Sequence, residues 1–215
     1  MRIFVFNFGY SPNLGDGLLS ECLQCELRQA GDVTVEMRDL AGRRAYGEGG
    51  EHRQLALRVL SWLPAALRQR AVELVLSRKI ARDLRPYWRQ SLEKADAMVI
   101  GGGNLFADAD LNFPLKIEAA LKVAAEVGVP VAVHAVGVSD NWSARGTRLF
   151  REGLAAARVI RVRVRDEASR QVWLKRVPAQ TAPAPDLALD PGLLTARHFP
   201  ARERQAGGRN VALGV

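Results

Sequence analysis

Apolar positions along this chain gather into short runs rich in Val, Ile and Phe, separated by longer stretches with helical spacing. The runs RIFVFN (2–7), VTVEMRD (33–39), DAMVIGG (96–102), PVAVHAVGV (130–138) and VIRVRVR (159–165) read as strands, with TAPAP (181–185) as a sixth. They have strand length, and most are followed by Gly, Asn or Asp. Helical patterns occupy about 15–30, 53–90, 113–127, 144–156 and 166–175. Strands alternating with helices predict an α/β domain, a Rossmann-like parallel sheet with helices on both faces.

One helical stretch is unusual in its charge. Leu60, Leu63, Leu67, Ala71 and Leu74 recur at helical spacing, as do Leu76, Ile80, Leu84 and Trp88, and Pro64 starts or kinks a helix. Between His52 and Gln90 there are nine Arg/Lys against two Asp/Glu, in a chain whose net charge is +8. Two readings fit. The leucines pack a helical pair on the sheet, or the 53–90 segment is a basic surface that rests on an anionic membrane, with Arg and Trp among the headgroups. Nucleic acid is not expected, because the arginines are interleaved with aliphatic residues and few aromatics are available for stacking.

The polar, glycine-bearing FPARERQAGGRN (199–210) reads as a linker, and VALGV (211–215) as the opening of a further apolar run. The expected organisation is a Rossmann-like domain over 1–198, a basic helical insertion at about 43–90, a linker over 199–210, and from 211–215 the start of a second domain whose remainder is missing. With 215 residues, 48% hydrophobic and 25% charged, the chain fits an ordinary globular protein. The N-terminal apolar run is too short for a signal peptide. No run reaches the roughly 18 to 20 apolar residues that span a bilayer. The expected location is cytoplasmic.

Candidate chemistry lies where parallel strands end, since open α/β sheets bind ligands there. After the first strand comes NFGYSPNLGDGLLSE (7–21), with Asn13, Gly15 and Asp16 just ahead of an amphipathic helix. Asp16 suits an N-cap, and equally a turn that presents N–H groups to an anion. The second loop, GGGNLF (101–106), lets backbone approach a phosphate or carboxylate without a Cβ in the way, or serves tight strand-to-helix packing. No P-loop or GxGxxG fingerprint is present. In VRVRDEASRQVW (162–173), Arg163 and Arg165 alternate with valines, and a guanidinium at a strand's end calls for an anion: a ligand, or an internal acid such as Asp186.

Cys22 and Cys25 fall within a helix, where packing is favoured over redox chemistry. His52, His134 and His198 show no metal-ligand spacing, so no metal is expected.

Taken together and in order, N-x-G-D after the first strand, G-G-G-N-L-F and V-R-D-x-x-S resemble the polysaccharide pyruvyl transferase family. The matching residues are Asn13, Gly15 and Asp16, then Gly101, Gly102, Gly103, Asn104, Leu105 and Phe106, then Arg165, Asp166 and Ser169. Asp186 and Asp190 resemble the acidic stretch that closes that family's first domain. HAVGVSDN (134–141) departs from it, standing where the family usually has Gly-Pro.

The resemblance implies a half of a GT-B-like two-domain architecture that carries only half of the active-site cleft. It implies phosphoenolpyruvate as donor substrate with no cofactor, and a pyruvyl ketal formed on a sugar of a cell-surface polysaccharide or its lipid-linked precursor. Under it Asp16 is the acceptor-side carboxylate and Arg165 the donor's anion ligand, with Arg163 behind it. Asn13, Gly15, Gly101 to Gly103, Asn104 and Ser169 are substrate-binding. A GT-B-type nucleotide-sugar glycosyltransferase and a non-catalytic basic binding module remain the alternatives.

Overall fold

The central apolar runs are nearly continuous because both faces of the sheet they form are covered. In the computed structural model, which describes residues 1–46, 48 and 65–200, six strands make one parallel sheet. They are β1 (Arg2–Asn7), β2 (Thr34–Asp39), β3 (Ala97–Phe106), β4 (Val131–Val138), β5 (Val159–Val164) and β6 (Asp186–Leu187), in the order β2–β1–β3–β4–β5–β6. β1, β2, β4 and β5 match the expected strands closely. The expected α/β Rossmann-like sheet is present.

The sixth differs. Pro183 and Pro185 have no N–H for a ladder, so TAPAP does not pair and the strand shrinks to Asp186–Leu187 beside Arg163 and Val164. β3 also departs from expectation. It does not end at the glycines but runs through them to Phe106, with a register break against β4 between Gly103 and Phe106.

The helices are α1 (Leu14–Gln29), α2 (Ala65–Lys79), α3 (Arg85–Leu92), α4 (Asn112–Val127), α5 (Ala144–Ala156), α6 (Glu167–Arg176) and the short α7 (Thr195–His198). A π-helical turn, Ile80–Leu84, joins α2 to α3, and a 3-10 turn, Pro191–Leu194, precedes α7. Strand periodicity divides the core in two. Phe4, Phe6, Met98, Ile100, Val162 and Val164 meet the larger layer, with Trp88, Leu121, Phe150 and Trp173. Ile3, Val5, Val35 and Val99 point the other way, onto Leu23 of α1. Among the described residues, α1 covers that second face with the 3-10 turn and α7 packed against it.

Of the basic segment, 53–64 lies outside the described residues, and so do 201–215, which hold all but the first two residues of the expected linker and the expected second-domain start. Leu76, Ile80, Leu84 and Trp88 enter the core as the spacing predicts. Leu74 does not: it is 54% exposed, beside Val75 at 67%. Arg85 and Arg89 both pair with Glu126 of α4, and Arg145 of α5 with Glu73, which ties α2 and α3 to the helices that cover the sheet. No helix among the described residues is long and apolar enough to cross a membrane.

The three glycines of β3 do different jobs. A Cβ on Gly101 would lie 2.7 Å from the His134 carbonyl oxygen and 2.7 Å from Leu23 Cδ2, so this residue is where β4 and α1 close on β3. Gly102 and Gly103 have φ of +75° and +96°, a conformation that side-chain-bearing residues rarely hold. Gly101→Ala is expected to destabilise the fold by about 1–3 kcal/mol through overpacking against backbone that cannot retreat. Chemical denaturation would measure it, and an unchanged midpoint would remove the packing role.

Candidate active site

The strand order turns back at β1: the chain goes from β1 to β2 on one side and returns to β3 on the other. Doubly wound sheets open a crevice at the carboxyl ends of strands at such a reversal. Here that crevice is a cleft of about 650 Å³, in the range of small-molecule sites. Phe8 and Pro12 line it from the β1 side, Gly102 to Leu105 from β3, Asn112 and Lys116 from α4, with Asp16 and Arg43. A second hollow of about 230 Å³ beside Arg2 and Phe4 sits toward the strands' other ends, and its Arg2 and Arg38 are already paired with Glu36.

Asp16 reaches the cleft because it is not the N-cap. Asn13 caps α1, its Oδ1 accepting from Gly15 N–H at 3.0 Å. Asp16 therefore falls in the first turn, where a carboxylate meets the positive end of the helix dipole. Its Oδ1 lies 3.9 Å from where a Cβ on Gly103 would stand. Asn104, next along β3, is exposed and donates to Ser139 Oγ at 2.9 Å. Asn13 and Gly15 shape the helix entry and are exposed; neither lines the cleft.

Arg165 stands at the end of β5, beyond Asn104. Gly137 is the reason it fits: a Cβ there would come within 2.9 Å of the Arg165 guanidinium and 2.7 Å of Asn104 Oδ1. The internal acids that meet Arg165 are Asp166 at 3.3 Å and Asp190 at 3.6 Å, not Asp186, which Arg161 holds at 2.6 Å. The longer contact and an exposure of 31% leave Arg165 facing solvent in part. Arg163 is set farther back, its Nε enclosed without a hydrogen-bond partner. It lies near His134, whose pKa falls below the ordinary value, first through burial and then through the Arg163 charge, with Glu26 opposing.

Ser169 is buried, and its hydroxyl accepts from Val138 N–H at 3.0 Å, so it joins α6 to the end of β4 without facing the cleft. Asp166 caps α6, its Oδ1 accepting from Ser169 N–H at 2.7 Å. Burial pushes the Asp166 carboxyl up, but bonds from Ser169 and the Arg165 charge outweigh it and the net shift is down. Cys22 packs in the core, its thiol pKa raised chiefly by burial. Among the described residues no group of His, Cys, Asp and Glu could hold a metal ion.

Two cations of the cleft carried no signal in the sequence motifs. Arg43 is held by Asp39, a fully buried carboxylate at the end of β2 that also accepts from Tyr10 N–H at 3.1 Å and Ala41 N–H at 2.7 Å. Lys116 is 6% exposed, donates to Asn112 Oδ1 at 2.8 Å and lies over the Phe8 ring. The available hint was its place: a lysine between Leu115 and Ile117 in a helix otherwise dominated by apolar residues.

The pieces that meet at the crevice, Asp16, Gly102, Gly103 and Asn104, with Arg165 next to them, come from all three motifs in the order in which they occur along the chain. No curated protein matches the chain. A family model does: that of polysaccharide pyruvyl transferase, over residues 13–212. The motifs, the doubly wound sheet that carries them and the extent of this match agree, and the chain belongs to the polysaccharide pyruvyl transferase family, transferases acting on polysaccharide.

Proposed function

We propose that the protein uses phosphoenolpyruvate to build a pyruvyl ketal on a sugar of a polysaccharide or its lipid-linked precursor. The observation that carries this reading is the convergence of Asp16, Gly103 and Asn104 on one cleft at the strand reversal, in a chain of this family. Protonation of C3 makes C2 of the donor cationic, and a sugar hydroxyl adds there, losing its proton. The C2–O bond to phosphate then breaks, phosphate leaves with the bonding pair, and a second hydroxyl closes the ketal. Donor plus diol thus give ketal plus inorganic phosphate.

Such a sequence needs a base beside the hydroxyls and cations for the donor's two anionic groups. Asp16 is the carboxylate that holds and deprotonates the acceptor hydroxyl. Gly102 and Gly103 let the substrate come against backbone, and Asn104 hydrogen-bonds the sugar. Arg165 anchors the donor, taking its anion in place of the long contact with Asp190. A facing second domain of the GT-B kind belongs to the same proposal and would supply further donor contacts.

Calorimetric titration with phosphoenolpyruvate, set against a uridine diphosphate sugar, tests the reading. Saturable binding of phosphoenolpyruvate is expected, weakened about tenfold or more by Arg165→Ala, since a hydrogen bond to a charged group contributes about 1.5–3 kcal/mol. Binding that ignores Arg165→Ala would sink its role as donor anchor.

A further inference from the structure

Ser139 lies in HAVGVSDN (134–141), which none of the three motifs includes. It follows β4 directly, and its backbone N–H donates to the Phe106 carbonyl at 3.0 Å, which pins the residue beside the end of β3. Its Oγ accepts from Asn104 Nδ2 at 2.9 Å. Which end of the Asn104 amide faces Ser139 is set by its other neighbour. Asn104 Oδ1 lies 2.7 Å, and Arg165 Nε and Cζ lie 2.9 Å, from the one point where a Cβ on Gly137 would stand. The amide and the guanidinium therefore border one space. A guanidinium has donors only, so the amide oxygen is the end that belongs beside it. Ser139 then receives the amide N–H and keeps its own hydrogen. Among the described residues no acceptor meets that hydroxyl hydrogen.

Arg165 is placed to act with Ser139. Its Nε donates to Asp166 at 3.3 Å and Nη1 stands 3.6 Å from Asp190, while the terminal nitrogens make no hydrogen bond among the described residues. Both acids are committed elsewhere: Asp166 Oδ1 accepts from Ser169 N–H at 2.7 Å and Asp190 Oδ1 from Gly192 N–H at 2.9 Å. They aim the guanidinium without satisfying it. We propose that the Ser139 hydroxyl and the Arg165 guanidinium form a carboxylate pocket over Gly137, and that it takes the carboxylate of the donor. A carboxylate offers two oxygens in one plane, one for each of these donors. Phosphate suits the place less, because Asp166 and Asp190 already set two negative charges around one cation, and a dianion meets more repulsion there than a monoanion. Gly137 supplies the room, since any side chain would fill the point between Asn104 and Arg165. Asn104 keeps Oδ1 for the sugar hydroxyl and so stands between the two substrates. That the carboxylate is phosphoenolpyruvate's rests on the pyruvyl transferase reading; the pocket itself does not.

Pyruvate and inorganic phosphate, each carrying one of the donor's two anionic groups, test the pocket by ligand-observed NMR titration, with phosphoenolpyruvate followed by calorimetry. The proteins are wild type, Ser139→Ala, Gly137→Ala and Arg165→Ala. Ser139→Ala is expected to weaken pyruvate and phosphoenolpyruvate alike, by about tenfold, the loss of one hydrogen bond to a charged group. Inorganic phosphate should bind Ser139→Ala as it binds wild type. Gly137→Ala should weaken pyruvate at least as much with an unfolding midpoint near wild type, because the nearest atoms to its Cβ are the movable ends of side chains. A purely structural serine would not separate the two anions in this way.

Wild-type pyruvate affinity in Ser139→Ala, or no saturable pyruvate binding at all, would overturn the pocket. So would a loss of inorganic phosphate in Ser139→Ala that parallels phosphoenolpyruvate while pyruvate is spared, which would make this the phosphate's place. A pyruvate site that Ser139→Ala and Arg165→Ala both weaken, in a protein that never turns over phosphoenolpyruvate, would leave the pocket standing and remove the pyruvyl transferase reading.

Discussion

Asp39→Ala is expected to destabilise the protein by about 3–5 kcal/mol, the cost of leaving one member of a buried ion pair without its partner. Asp39 is fully buried at the end of an edge strand, where a carboxylate is tolerated only if each of its oxygens is engaged. Oδ1 accepts from Ala41 N–H at 2.7 Å and from Arg43 Nε at 3.2 Å. Oδ2 accepts from Tyr10 N–H at 3.1 Å and faces Arg43 again at 2.9 Å. Alanine would abandon two backbone donors and one guanidinium together. The loss also crosses to function, because Tyr10 belongs to the segment between β1 and α1, and Arg43 lines the cleft. Urea unfolding measures the effect directly. A loss below about 1 kcal/mol, the size of an ordinary surface change, would mean that the pair is not the strut that its geometry suggests.

Asp16→Asn should lower turnover by two to four orders of magnitude, on the order of what a positioned general base contributes. The substitution keeps the side chain's shape in the first turn of α1 and removes only the charge and the basicity. Its stability cost should be small, about 0.3–1 kcal/mol from the weakened interaction with the helix dipole. The measurement is phosphate release from phosphoenolpyruvate in the presence of acceptor glycans, alongside acceptor binding by calorimetry. A fall in turnover with acceptor binding largely kept identifies proton transfer. A fall in binding with turnover kept would make Asp16 a ligand for the hydroxyl and not its base. Unchanged values for both would take Asp16 out of the mechanism.

These effects come from residues of unequal legibility. Asp16, Gly102, Gly103 and Asn104 could be nominated from the chain because glycine and carboxamide clusters after apolar strands are local signals of a ligand-facing edge. Gly101 belongs to the same cluster and yet closes the packing of β4 and α1, a distinction that depends on which atoms lie opposite. Ser169 belongs to the same motif as Arg165, but its hydroxyl turns inward to Val138. TAPAP does not form the sixth strand, because its two prolines have no N–H for the ladder. Leu74 matched the apolar spacing yet is exposed, since spacing along a helix does not say how much of its surface a neighbour covers.

What the amino-acid order determined by itself was the periodic part: five of six strands, the helices between them, the parallel α/β class and the motif series that marks the family. Those features follow from local backbone preference and from the repeat of apolar positions, both carried by short windows of chain. Only the tertiary structure decided which charges meet. Arg43 reaches the cleft because Asp39 holds it, Lys116 because α4 packs beside Phe8, and Arg165 turns to Asp190 because Gly137 leaves room. Contacts between residues far apart in sequence depend on how the elements pack, and no local pattern encodes them.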